Sequence, residues 1–245
     1  MVAPFCGTDT GRLKTTVGTV LVLTEVMVGA DAIATLMSRL SASRPVFHSE
    51  ADFQHALAWE AQLVWPEQLV RLETRPAKGM HLDVLLVDPL AGHEVALELK
   101  FLTASWQGIA HQEAFNLLSQ GAQDIRAYDC VKDVGRVEKL VHNRPSADGA
   151  VVVLSNDPNY WTPRSHGRIT NAHEFRIHEG AVLSGLRTWG PRTGVGTLRN
   201  RESPIALMGS YLCHWRDYST LPGPSGRFRY LLLAVRRSEL TAIST

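Results

Sequence analysis

Two short apolar segments carry charges where a buried strand should carry none. His81-Leu82-Asp83-Val84-Leu85-Leu86-Val87 is nearly all hydrophobic yet holds Asp83, and Val95-Ala96-Leu97-Glu98-Leu99-Lys100-Phe101 holds Glu98 and Lys100. Residues two apart on a strand share a face, so Glu98 and Lys100 point one way and Leu97, Leu99 and Phe101 the other. Asp88-Pro89-Leu90-Ala91-Gly92 between the segments reads as a hairpin loop, and a hairpin brings Asp83 beside Glu98. Two carboxylates on one half-buried face repel, and are costly unless a proton or a cation joins them. A hard divalent cation such as Mg²⁺, with Mn²⁺ as its substitute, takes oxygen ligands and keeps several waters. A lysine beside it can orient a water or neutralise charge building on a phosphate. Glu-X-Lys alone is a common tripeptide, usually an ion pair on a solvated face. The conjunction with Asp83, the hairpin spacing and an upstream helix is what favours a site.

Several elements must position these residues. Ser49-Glu50-Ala51-Asp52 has the form of a capping box opening a helix, with Phe53, Ala56, Leu57, Ala58, Leu63 and Val64 as its apolar face and Pro66 ending it. Leu69–Thr74 alternates like a strand, Met80–Val87 is a second and Val95–Phe101 a third. Residues 110–126 and 129–142 read as two helices. Ala150–Leu154 is a continuous β-branched run, as for a strand buried on both faces. After Tyr160 the pattern is β-rich and irregular, with a late strand at Arg229–Val235. The order helix, three strands, helices, strand implies an α/β core with a mixed sheet.

Asp83 followed by Glu98-Leu99-Lys100, with a helix bearing Glu50 upstream, resembles the PD-(D/E)XK nuclease superfamily. The resemblance implies a restriction-endonuclease-like core, a mixed central sheet flanked by helices, with a β-rich C-terminal elaboration. It implies that Asp83 and Glu98 bind Mg²⁺, that Lys100 assists the attacking water, and that Glu50 completes the metal site. Leu82 stands where the family's name has Pro. The Gln-X-X-X-Tyr element of the exonuclease-type branch is not matched, since Gln123 and Tyr128 are five apart. The stretches from Gln120 to Arg136 and from Leu154 to Trp161 are similar to an uncharacterised actinobacterial branch, the likeness covering roughly residues 48–237. Within them Gln123, Lys132 and Arg136 read equally as phosphate contacts or as a solvated helix face, whereas Tyr160 and Trp161, able to stack on bases, read rather as a rim that covers the core.

Charge is divided along the chain. From Trp161 onward there are twelve Arg and no Lys against five acids, while residues 1–160 hold 13 bases and 19 acids. An acidic half with a site and an Arg-only half suit a protein that takes a cation in one place and phosphates in another, though a coding bias also favours Arg over Lys. Arg164, Arg168, Arg227 and Arg229 are the candidate DNA contacts in that half. The expected divisions are an N-terminal extension over residues 1–45, packed on the core or not part of the true protein, a nuclease-like core over 46–160, and the Arg-rich part over 161–245. Thr15–Thr24, the longest uncharged run near the start, is far short of the roughly 20 residues a membrane span needs. Scattered Cys6, Cys130 and Cys213 suggest neither zinc nor disulfides and fit a reducing cytoplasm. No GxxxxGK[ST] occurs, so no nucleotide cofactor is expected. The function expected is a Mg²⁺-dependent DNA endonuclease in defence or repair, a homodimer if it cuts both strands. The alternative is a catalytically silent module of the same fold that binds DNA or a protein partner.

Overall fold

The computed structural model describes residues 30–165 and 169–240. Its centre is a six-stranded sheet in the order β1-β2-β3-β6-β10-β9. Strands β1 (Leu69–Thr74), β2 (Leu82–Val87) and β3 (Glu94–Leu102) run antiparallel in sequence. β6 (Ala147–Ser155) lies parallel to β3, with Glu98 opposite Val151 and Leu102 opposite Ser155. β10 (Arg227–Val235) and β9 (Trp215–Thr220) complete it, each antiparallel to its neighbour. The molecule is thus α/β with a mixed central sheet.

Helices cover both faces. On one, Phe53, Leu57 and Ala61 of α2 (Glu50–Val64) pack with Ile33, Leu36, Met37 and Leu40 of α1 (Ala30–Ser43) against Leu97, Leu99, Val152 and Phe228. On the other, Val131, Val134, Val137 and Val141 of α3 (Gln123–Asn143) meet Val151, Val153, Leu231 and Leu233. Central strands buried on both faces read as continuous apolar runs, and Val151-Val152-Val153-Leu154 is one. Gly149 in β6 lets α3 and β3 close on it: a Cβ there would overlap Val137 Cγ1 and come within 2.8 Å of the Ala96 carbonyl oxygen. Against α3 also rests an antiparallel pair, β7 (Val182–Arg187) and β8 (Ile205–Leu212), in whose loop lies the short α4 (Val195–Leu198).

The helix expected over 110–126 is absent. Its place is taken by a hairpin of β4 (Trp106–Ala110) and β5 (Glu113–Leu117), turning at His111 and Gln112 with φ of 48° and 67°. Both turn residues are left-handed, as a two-residue hairpin loop requires, but neither is the Asn or Gly that announces one. Trp106, Phe115 and Leu117 bury the hairpin's inner face, and burial of this period-2 pattern overrides the local helical look. The second expected helix instead begins earlier, at Gln123, and continues unbroken through Gly135 to Asn143. Residues 1–29, which hold the uncharged run and the questioned start, lie outside the described residues, as does Arg168.

Candidate active site

β3 outlasts β2. The last register pair between them is Val84 with Leu97, and beyond it β3 continues past its neighbour. The backbone N–H groups so uncovered are taken by carboxylates. Leu99 N donates to Asp83 Oδ2 at 2.7 Å, and Phe101 N donates to Glu50 Oε2 at 2.9 Å. Two acids far apart in sequence therefore meet at one strand edge, because an unpaired strand N–H seeks an acceptor.

Local structure holds each in place. Ser49 caps α2: its hydroxyl accepts from Asp52 N at 3.1 Å, while the Asp52 carboxylate accepts from His48 N at 2.9 Å. This reciprocal cap fixes Glu50 as the first residue of the helix. Asp83 is further braced by its carbonyl, which accepts from Gln54 Nε2 at 2.8 Å. Glu50 is exposed as a residue, but its carboxylate is tucked against β3. That local burial raises its pKa against the pull of Lys100 and the Phe101 N–H. Burial likewise raises Asp83.

Glu98 and Lys100 point together toward α3, as their spacing predicts, and meet Asp133 and Arg136 there. Lys100 Nζ is 3.0 Å from Asp133 Oδ2, and Arg136 Nη1 is 2.8 Å from Asp133 Oδ1. Burial disfavours the Lys100 charge, but Asp133 and Glu50 more than offset it and hold the ammonium above its ordinary value. Glu98 is 2% exposed, and burial, followed by the Asp133 and Asp83 charges, pushes its carboxyl up to about 8. Arg136 Nη2 stands 3.0 Å from Glu98 Oε1 and donates to the His81 carbonyl, and among the described residues that buried carboxylate oxygen has a charge contact but no hydrogen bond. Asp133, 5% exposed, is the member that sequence reasoning missed. Its signal was present: it lies between Val131 and Val134 on the helix face turned to the sheet.

Four carboxylates (Glu50, Asp83, Glu98, Asp133) thus face two fixed cations, Lys100 and Arg136. Hard oxygen donors, raised carboxyl pKa values and the unbonded Glu98 Oε1 fit a divalent ion in kind. As the side chains stand, no three His, Cys, Asp or Glu among the described residues surround one cation position. A groove of about 440 Å³ opens beside them, with Glu50, Lys100 and Asp133 in its wall and exposed Arg126 and Lys132 at its rim. Asp83 and Glu98 are not among the residues that line it.

The other candidates are dispersed. Gln123 donates to Asp157 Oδ2 at 3.3 Å, at the start of α3. Arg227 pairs with Asp217 at 2.8 Å. Arg229 lies near Glu179 and Asp217, with its guanidinium 5.9 Å from the Trp161 ring centre. Tyr160 and Trp161 are 3% and 8% exposed and serve the core. Among the described residues no helix is long and apolar enough to cross a membrane. In comparisons with known proteins, the chain matches no family model and no curated protein.

Proposed function

We propose that the protein is a PD-(D/E)XK-type nuclease with a restriction-endonuclease-like core, hydrolysing DNA phosphodiester bonds with Mg²⁺. The observation that carries this reading is the convergence of Asp83, Glu98, Lys100 and Glu50, from three separate elements, at one strand end beside a cation-rimmed groove. The succession α2-β1-β2-β3, then α3-β6 after the interposed β4–β5 hairpin, supports it. Asp83, Glu98 and Glu50 would hold the metal. When bound, it supplies Lewis acidity to a phosphate oxygen and lowers the pKa of a coordinated water. Lys100 is kept protonated by Asp133, so its part is to orient that water and balance charge on the phosphate as a cation, not to act as a base. The basic rim would hold the backbone of the substrate without reading its sequence. A cytoplasmic setting, and a homodimer for double-strand cutting, belong to the same reading.

Purified protein with Mg²⁺ or Mn²⁺ is expected to cut plasmid, linear or single-stranded DNA, and Asp83→Ala and Glu98→Ala to abolish cutting. Failure to cut any of these, with Asp83→Ala indistinguishable from wild type, would sink the proposal. The second reading, a silent module of the same fold, draws on the closed ion network: Asp133 and Arg136 already occupy Lys100 and Glu98. It expects DNA binding that is indifferent to Glu98→Ala and to divalent ions.

A further inference from the structure

Two sets of arginines in the C-terminal third stand in contrast. Arg187, Arg227, Arg229 and Arg236 are ion-paired to Glu174, Asp217, Glu179 and Glu239. Arg164 and Arg176 have no carboxylate partner among the described residues, and they converge on one cavity of about 70 Å³ against the first turn of α3. Among the described residues, Arg176 Nη2 donates to Thr170 Oγ1 at 3.1 Å and to no other acceptor. Burial and the adjacent Arg164 charge both push the Arg176 guanidinium below its ordinary pKa. With two guanidiniums and one carboxylate, Asp124, among the described lining residues, the cavity keeps an excess of positive charge that an anion would relieve.

The rest of the wall suits an oxyanion. Gln123 and Thr162 bring polar side chains, and both also line a wider adjoining cleft that Arg164 shares. Tyr160, 3% exposed, is part of the cavity wall, and its buried hydroxyl has no hydrogen-bond partner among the described residues. The helix behind the wall is 21 residues long, its N-cap, Ala122, offers no side-chain cap, and Gln123, Asp124 and Ala127 at its start line the cavity, so the positive end of its dipole lies at that wall. Asp124 also borders the cavity, with its Oδ1 accepting from Ile125 N at 2.9 Å. Guanidinium pairs bind phosphate through short charge-assisted bonds.

The geometry points to a phosphate-binding subsite between Arg164, Arg176 and the start of α3, separate from the groove at Lys100. Ten residues of helix separate Gln123 from Asp133, about 15 Å at the α-helical rise. That is the axial rise of about four stacked nucleotide steps, at about 3.4 Å each. The nucleic-acid half of this inference rests on the proposed nuclease reading: a strand cut at Lys100 would place a phosphate about four nucleotides away between the two arginines.

The test reads binding, not cutting. Wild-type protein is titrated with inorganic phosphate against chloride at matched ionic strength, by calorimetry and thermal shift, alongside Arg164→Ala, Arg176→Ala, Arg176→Lys and Lys100→Met. Each alanine variant should bind phosphate about tenfold more weakly, with Arg176→Lys retaining part of the affinity. Lys100→Met should bind as wild type does. The subsite is refuted if both alanine variants bind phosphate like wild type, or if Lys100→Met alone abolishes binding. Unchanged melting of the alanine variants in chloride shows that they fold. Single strands of three and eight nucleotides, added in Ca²⁺ to prevent cutting, then separate the phosphate sources. A gain in affinity with length that Arg164→Ala abolishes identifies a backbone phosphate, whereas phosphate binding with no such gain identifies a free one. A protein that cuts no DNA yet shows arginine-dependent phosphate binding fails the nuclease reading and keeps the subsite.

Discussion

Glu98 and Lys100 stand two residues apart on one strand, and α3 treats them in opposite ways. Asp133 accepts from Lys100 and keeps it charged, while the same carboxylate, with burial, discourages charge on Glu98. This has a pH consequence. The Glu98 carboxyl is raised from 4.5 to about 8, so between those values the native state binds a proton that the unfolded chain has lost. Without divalent ions, stability should therefore fall as pH rises through that window, the reverse of an ordinary paired acid. Denaturant unfolding from pH 4.5 to 8 should show the decline in wild type and a flatter profile in Glu98→Gln; equal slopes would remove Glu98 as its source. The pair's shared face was legible from spacing alone. Asp133 was not, because a charged residue on a helix is read as solvated until the helix is known to pack by that face.

At the scale of elements, two close fits lend themselves to substitution. Gly149 sits where β6 passes under α3, so Gly149→Ala should cost about 1–3 kcal/mol in urea unfolding. Adding Val137→Ala should restore only part of that, because the clash with the Ala96 carbonyl remains. A full restoration would mean that the helix alone sets the spacing. The β4–β5 turn offers the opposite change. His111 and Gln112 are both left-handed, so His111→Asn with Gln112→Gly should raise stability by about 1 kcal/mol. No gain would mean that contacts of the native side chains offset the strain. The same turn explains why a helix was expected there. The hairpin around Asp88-Pro89-Leu90-Ala91-Gly92 was readable because Asp88 accepts from Leu90 N and Ala91 N and Gly92 takes a φ of 66°. His-Gln carries no such mark. The cap at Ser49 was likewise written in the sequence, and the structure places its hydroxyl on Asp52 N.

Across the whole molecule, the division of charge seen in the sequence persists, but pairing engages four of the twelve arginines after residue 160 with acids of the same third. A surplus of Arg after residue 160 does not make that whole third a binding surface, because four of those arginines hold partners nearby. The exposed cations that border the groove, Arg126 and Lys132, come from the acidic half instead. If DNA lies along α3, the salt dependence of its binding should report this. Arg126→Ala and Lys132→Ala should each lower the slope of log K against log salt by about one, and Arg227→Ala should leave it unchanged. The reverse pattern would move the interface to β9 and β10. Composition fixed the surplus, but which cations are spent on neighbours depends on the register of strands distant in sequence.

The strand edge where β3 runs on past β2 has a use of its own. The Leu99 and Phe101 amides are hydrogen-bonded to the two carboxylates that would turn toward an incoming ion. They are therefore native spectroscopic reporters. If Asp83 and Glu50 rotate away, both amide proton resonances should move upfield and exchange faster with solvent, while the neighbouring amides that bond to β6 stay put. The occupancy of the site could thus be followed residue by residue, without a substrate and without a label beyond nitrogen.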